Sequence, residues 1–313
     1  MQLPKKVILC EVGLRDGLQN EKTHLTTAQK GSVVRQVMEA GCRVVELGSF
    51  VSQKAVPQMA DTDALFTQYG GAPGMEFRAL VANQKGVERA AACGCRKVKL
   101  NVSASRAHNL ANLNMTPEES VNRFADCCAI AKDHRIAVSG SISMAFGSPW
   151  ETRIPLDDVL RIAEAYLRVG VKEVSLSDTS GMAVPSLVYE YCLAGEKAFP
   201  ETVWWFHFHN SRGAAMANIL AAMEAGATRF DTSLCGLGGC PFVPGAAGNI
   251  ATEDVVHMLG GMGVDTGMDV DRTLEAARAL RVLVAHDTDS YLLRAGCSKD
   301  LIRELPVKQT LPK

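Results

Sequence analysis

The sequence predicts a (β/α)8 TIM barrel with additional C-terminal helices. Three observations carry this. Eight short apolar runs recur along the chain, each bounded by Gly, Asn or Asp. Segments with helical spacing lie between them. No low-complexity linker or composition break divides the 313 residues.

The runs, in order, are Val7–Val12, Val44–Gly48, Phe77–Val81, Val98–Val102, Ile136–Met144, Glu173–Ser177, Val203–His209 and Arg229–Leu234. Each is rich in Val, Ile, Leu or Phe, as buried parallel strands require. Thr27–Ala40 sets Val33, Val34, Val37 and Met38 on one helical face. Pro117–His134 opens Thr116-Pro117-Glu118-Glu119: an N-cap, a first-turn proline, then acids. Pro155–Val169 and Pro185–Ala198 start the same way, and Ala214–Glu224 ends at Gly226. Eight strand–helix units in about 260 residues suit the barrel. The rival, a doubly wound open sheet, usually has fewer strands and a glycine fingerprint after the first. No such fingerprint follows Val12. One domain is expected, its barrel over about residues 5–262 and a helical extension over about 263–313. In that extension Asp271–Ala285 is one more amphipathic helix, packed on the barrel or on a second subunit.

Composition narrows function. Lys plus Arg is 33 against Asp plus Glu at 34, a net charge of −1, with no basic surplus for nucleic acid. The N-terminal apolar run is too short for a secretory signal, and no stretch suits a bilayer span. Ten cysteines without a secretory signal point to free thiols in a reducing, cytoplasmic compartment. Cys93, Cys95, Cys127 and Cys128 read as small hydrophobes.

Barrel chemistry sits where the strands end. Side chains alternate along a strand, so His207 and His209 share one face, roughly 7 Å apart, and can converge on one divalent cation. The bland reading is two packed or solvent-facing histidines. Asp16, ending the first strand at the same mouth, favours the metal: two imidazoles and a carboxylate leave open positions for substrate. Without a committed thiolate the set suits Mg²⁺ or Mn²⁺. Arg15 is either a charge partner for Glu11 or Glu46, or an electrophile over developing negative charge. Glu46, ending the second apolar run, needs a partner there. Asp178 is either a supporting group or a substrate contact. The stretch Cys235–Gly248 holds five glycines and reads as a relaxed turn or a closing loop. Its internal Cys240 is either structural or a proton donor to a carbanion.

Three motifs then resemble a known family. Glu11-Val12-Gly13-Leu14-Arg15-Asp16-Gly17-Leu18-Gln19-Asn20-Glu21 is similar to the opening signature of 3-hydroxy-3-methylglutaryl-CoA lyases. Ser49-Phe50-Val51-Ser52 with Val56-Pro57-Gln58-Met59 resembles its second-strand loop. Gly236-Leu237-Gly238-Gly239-Cys240-Pro241, then Gly248-Asn249-Ile250-Ala251-Thr252-Glu253, resembles its cysteine-loop signature. The resemblance implies that Asp16, His207 and His209 hold the metal, with Asn249 completing or supporting the shell. It implies that Arg15 holds the enolate and Cys240 is the loop acid or base. Glu46, Glu11 and Glu253 would support the site, Asp178 would join the acid–base machinery, and Gln19 and Ser49 would meet substrate. There are departures. Asn210-Ser211-Arg212-Gly213 replaces the usual Asp-Thr-Tyr-Gly, Ala55 a tryptophan, and Ser139 an arginine. They touch the acyl pocket more than the chemistry.

The implied reaction is a retro-Claisen cleavage of an acyl-CoA, 3-hydroxy-3-methylglutaryl-CoA to acetoacetate and acetyl-CoA, as in leucine degradation. His207 or Asp178 would take the hydroxyl proton. The alternatives are a lyase for citramalyl-CoA or another branched acyl-CoA, a condensing synthase, and a non-catalytic metal-binding barrel. No nucleic-acid or membrane partner is implied, and a homodimer through the C-terminal helix is a fold-level analogy.

Overall fold

The computed structural model describes residues 1–239 and 248–302. Eight parallel strands close into a barrel in sequence order. They are β1 (Ile8–Glu11), β2 (Val44–Ser49), β3 (Glu76–Val81), β4 (Lys97–Ser103), β5 (Ala137–Ser143), β6 (Glu173–Asp178), β7 (Val203–Phe208) and β8 (Arg229–Thr232). The closing pair is β1 with β8, Ile8 opposite Arg229 through Glu11 opposite Thr232.

The helices are α1 (Thr27–Glu39), α2 (Thr62–Tyr69), α3 (Gln84–Ala92), α4 (Arg106–Leu113), α5 (Pro117–Asp133), α6 (Leu156–Arg168), α7 (Pro185–Ala198), α8 (Ala215–Glu224), α9 (Thr252–Gly261), α10 (Val270–Val284) and α11 (Tyr291–Ala295). The long ones fall where the apolar spacing predicts. At α5 the expected cap forms: Thr116 Oγ1 accepts from Glu119 N, and the Glu119 carboxylate accepts from Thr116 N. The short α2, α3, α4, α9 and α11 lack a periodic stretch long enough to announce them.

The apolar core lies between sheet and helices, where Val34, Phe66, Tyr166, Val188, Ile219 and Leu259 are buried. The same contiguous core reaches Ala277, Leu280 and Val284 of α10, which packs on α1 and α9 of its own barrel. Burying a leucine such as Leu280 contributes about 1.5–3 kcal/mol. Asp254 of α9 accepts from the N–H groups of Tyr291 and Leu292 and so caps α11. Among the described residues no helix is long and apolar enough to cross a membrane.

Inside the barrel the usual branched apolar layers give way to charge. Arg78, Lys97, Lys99, Glu46 and Asp231 are all buried there. Two strand ends also differ from expectation. β2 runs past Glu46 to Ser49, with a register shift between Glu46 and Gly48. β7 stops at Phe208, and His209 instead forms an antiparallel bridge with Asn249. A residue shed from the ladder can reorient toward the mouth.

Candidate active site

β1 does not end in a simple loop. Gly13–Gly17 forms a single π-helical turn that presents Arg15 and Asp16 side by side. Such turns cluster at functional sites. Glu11 clamps this turn: its carboxylate accepts from Gly13 N (2.7 Å), Leu234 N (2.9 Å) and Thr252 Oγ1 (2.6 Å). A side chain at position 13 would put its Cβ 2.4 Å from Glu11 Oε1, so that carboxylate would have to shift from its clamp.

Asp16 faces both imidazoles. Its Oδ2 lies 3.8 Å from Nε2 of His207 and 3.8 Å from Nε2 of His209. The two rings are 5.1 Å apart between centroids. Asn249 Nδ2 donates to the same Asp16 oxygen at 2.8 Å and to Leu237 O at 3.0 Å. Burial alone would raise the Asp16 carboxyl, but Arg15 and then the histidines hold it well below the usual range. The ligand atoms of Asp16, His207 and His209 all lie within 4.8 Å of one another.

These residues fit a divalent ion. His207 Nδ1 meets Asp231 Oδ2 at 3.3 Å, which turns Nε2 toward Asp16. Burial holds the His209 imidazole below its ordinary value, which favours the form able to coordinate a cation. Asn249 Oδ1 is buried with no hydrogen-bond partner among the described residues, an oxygen left open beside the set.

Arg15 is held at two points. Its Nε donates to Glu46 Oε1 at 2.7 Å and its Nη1 to Asp16 Oδ1 at 2.5 Å. That leaves Nη2 uncommitted among the described residues, on a residue lining the cavity. The cavity is about 320 Å³ and also meets Gln19, Lys99, Asn101, Ser141, Ser177, His207 and His209. Beside the histidines the wall is hydroxylic, with Ser177 of β6 in register with His207 of β7. Ser141 and Ser177 hydroxyls lie 3.2 Å apart, and Asn101 donates to Ser143 Oγ at 3.3 Å.

The structure thus brings Arg15, Asp16, Gln19, Glu46, His207, His209 and Asn249 together and places three others elsewhere. Asp178 does not line the cavity. Ser177 does, and the next residue on a strand faces the other way. Asp178 Oδ1 accepts from Met182 N and Ala183 N, and burial pushes its carboxyl up to about 6. These two bonds brace the turn after β6, the supporting alternative of the two readings open for Asp178. Ser49 is also buried off the cavity, its hydroxyl donating to Leu80 O at 3.3 Å. Glu253 accepts from Cys235 N, and burial pushes its carboxyl up to about 8. Glu46 is wholly buried, spent on Arg15 and Lys99. Cys240 lies outside the described residues. Its neighbour Gly239 lines the cavity, and Asn20 donates to Gly239 O at 3.0 Å.

Sequence reasoning missed Lys99 and Asp231. Lys99 is a charge between apolar neighbours, Val98-Lys99-Leu100, and that contradiction was the available signal, whereas Asp231 sits in the mixed run Arg229-Phe230-Asp231-Thr232-Ser233.

With this geometry in place, comparison with known proteins is decisive. The family model described as HMGL-like matches residues 6–280. The chain belongs to the HMGL-like family. This HMGL-like chain is 39% identical to the mitochondrial hydroxymethylglutaryl-CoA lyase of Mus musculus, over 94% of this chain and 91% of that one. It is 37% identical to a 3-hydroxy-3-isohexenylglutaryl-CoA/hydroxy-methylglutaryl-CoA lyase of Pseudomonas aeruginosa, over 96% and 100% of the two chains. It is similar to the structure of an HMG-CoA lyase from Acinetobacter baumannii in complex with coenzyme A and 3-methylmalate. That match has a TM-score of 0.91 at 38% identity, covering 96% of this chain and 98% of the other.

Proposed function

We propose that this HMGL-like chain is a carbon–carbon lyase that cleaves 3-hydroxy-3-methylglutaryl-CoA to acetoacetate and acetyl-CoA. The observation that carries this is the meeting of Asp16, His207, His209 and Arg15 at one cavity wall. The HMG-CoA lyases to which the chain is similar support the acyl group.

Asp16, His207 and His209 would hold the cation, with Asn249 beside them. The donor set, imidazole and oxygen without thiolate, favours Mg²⁺ or Mn²⁺. A bound divalent cation supplies Lewis acidity to the substrate oxygens. Charge on the chain argues the same way. Asp16, Glu46 and Asp231 set three carboxylates against two cations, Arg15 and Lys99. These five groups leave one negative charge in surplus, which a bound dication would offset.

The reaction removes the 3-hydroxyl proton, breaks C2–C3 and leaves the electron pair on the acetyl-CoA enolate. Of the two groups expected to take that proton, Asp178 does not line the cavity, and His207 lines it but would have Nε2 on the cation and Nδ1 on Asp231. Arg15, fixed through Nε and Nη1, turns Nη2 to the thioester oxygen as negative charge grows there. The enolate carbon then takes a proton, which we assign to the Cys240 thiol.

The test is product analysis. Chain supplemented with Mg²⁺ or Mn²⁺ is given 3-hydroxy-3-methylglutaryl-CoA beside citramalyl-CoA. Acetoacetate and acetyl-CoA from the first support the proposal. Release of acetyl-CoA from citramalyl-CoA alone overturns the acyl assignment. Cys240→Ser should lower kcat by orders of magnitude with metal content unchanged. Loss of metal in that variant would make the thiol a ligand instead.

A further inference from the structure

Lys99 lies in the barrel interior with 3% of its surface exposed. It stands on β4, directly across an eight-stranded barrel from β8. Its ammonium reaches both β2 and β8, donating to Glu46 Oε2 at 2.9 Å and to Asp231 Oδ2 at 3.2 Å. Glu46 uses its other oxygen on Arg15 Nε. Asp231 uses the oxygen that Lys99 touches to meet His207 Nδ1. One ammonium therefore connects the carboxylate that orients the guanidinium to the carboxylate that orients an imidazole.

The crossing depends on small neighbours. Lys99 is in register with Ser139 on β5, and Ser175 stands on β6. A large inward side chain at either position would occupy the axis through which the lysine stem passes. Glu46, Lys99 and Asp231 come from even-numbered strands, whose inward side chains share a layer in such barrels. Here an ion triad fills that layer in place of apolar packing.

We propose that Lys99 is a positioning residue of the lyase site, acting on Arg15 through Glu46 and on the His207 metal ligand through Asp231. This rests on the metal-site reading above. Without the ammonium, Glu46 and Asp231 are two buried carboxylates that have lost a shared cation, and neither holds its partner in place. The lysine touches no reacting atom in this scheme. Its removal should therefore act on the geometry of both halves at once.

The experiment measures Mn²⁺ affinity calorimetrically without substrate, then kcat and KM separately. Lys99→Met should weaken Mn²⁺ binding about 10–100-fold, the range for outer-shell partners of metal ligands. It should lower kcat more than it raises KM, since the fixed guanidinium matters most in the transition state. Lys99→Arg should recover much of the affinity, because a guanidinium can also bridge two carboxylates. If Lys99→Met does not fold, Lys99→Gln removes the charge while keeping an amide donor and both carboxylates, and should show the same weakening. Wild-type Mn²⁺ affinity in either folded variant overturns the proposal. Failure of the wild-type chain to bind Mn²⁺ or Mg²⁺ would instead overturn the metal reading itself.

Discussion

Two ion networks occupy this barrel, one at its floor and one at its mouth, and they differ in how they close. At the floor Arg78 and Lys97 meet Glu76 and Glu173. Arg78 Nε lies 2.5 Å from Glu76 and Nη1 lies 3.1 Å from Glu173, while Lys97 Nζ lies 3.2 Å and 2.6 Å from the same two acids. Two cations face two carboxylates. The Arg78 guanidinium also stacks 4.1 Å over the Trp205 ring. At the mouth two cations face three carboxylates, two imidazoles converge on one oxygen, and Asn249 Oδ1 is without a partner among the described residues. A network that balances its own charge is a structural plug. One that leaves negative charge and lone pairs open is shaped for a ligand.

Four measurements can break or sharpen that contrast. The largest effect is expected from Asp16→Asn. Metal binding and kcat should fall by more than about 100-fold, beyond the loss typical of outer-shell partners. Metal-free stability in denaturant should fall, because the ionised Asp16 beside Arg15 stabilises the fold. Unchanged metal affinity would show that Asp16 is only a structural partner of Arg15. Next comes Arg78→Met at the floor, expected to cost about 1–3 kcal/mol of stability by removing a buried guanidinium from Glu76 and Glu173, which keep Lys97 as their cation. Its Mn²⁺ affinity should match wild type, and weakened affinity would mean the two networks communicate.

The third is a pH effect. Burial pushes Glu11 up to about 7 and Glu253 up to about 8, from an ordinary 4.5. The folded state then holds protons that the unfolded chain has released. Stability from these groups is full below about pH 4.5 and is lost as pH rises toward 8. Urea unfolding at several pH values should show that decline, shallower in Glu253→Gln. An unchanged slope in the variant would remove Glu253 as the cause. The smallest effect is expected from Ser177→Ala, which deletes one member of a hydroxyl pair. It should shift stability by no more than about 1 kcal/mol and leave Mn²⁺ affinity unchanged. A large drop in metal affinity would extend the ligand site onto the hydroxylic wall.

Part of the site was legible because its signals are local. Period-2 alternation puts His207 and His209 on one face whatever the surrounding fold. The motif around Arg15 and Asp16 is contiguous. The same alternation would have excluded Asp178 once Ser177 was known to face the cavity, but which face is inward is not local information. The place of Ser49 was not legible for a similar reason. β2 continues past the bulge after Glu46, so Ser49 is still paired with β3 rather than free at the rim. Lys99 and Asp231 were read as members of apolar runs because a charge in a strand has no visible partner until the sheet closes.

From sequence alone come the eight-fold repeat of strand and helix, the long capped helices, and the residues able to bind a cation or hold an enolate. These follow from side-chain periodicity and donor chemistry within a few neighbouring positions. Only the tertiary structure decided which groups meet across the barrel axis, that Lys99 spans from β4 to β8, and that Asp178 and Ser49 stand aside. The reason is physical: closure of the sheet brings residues more than a hundred positions apart within hydrogen-bonding distance.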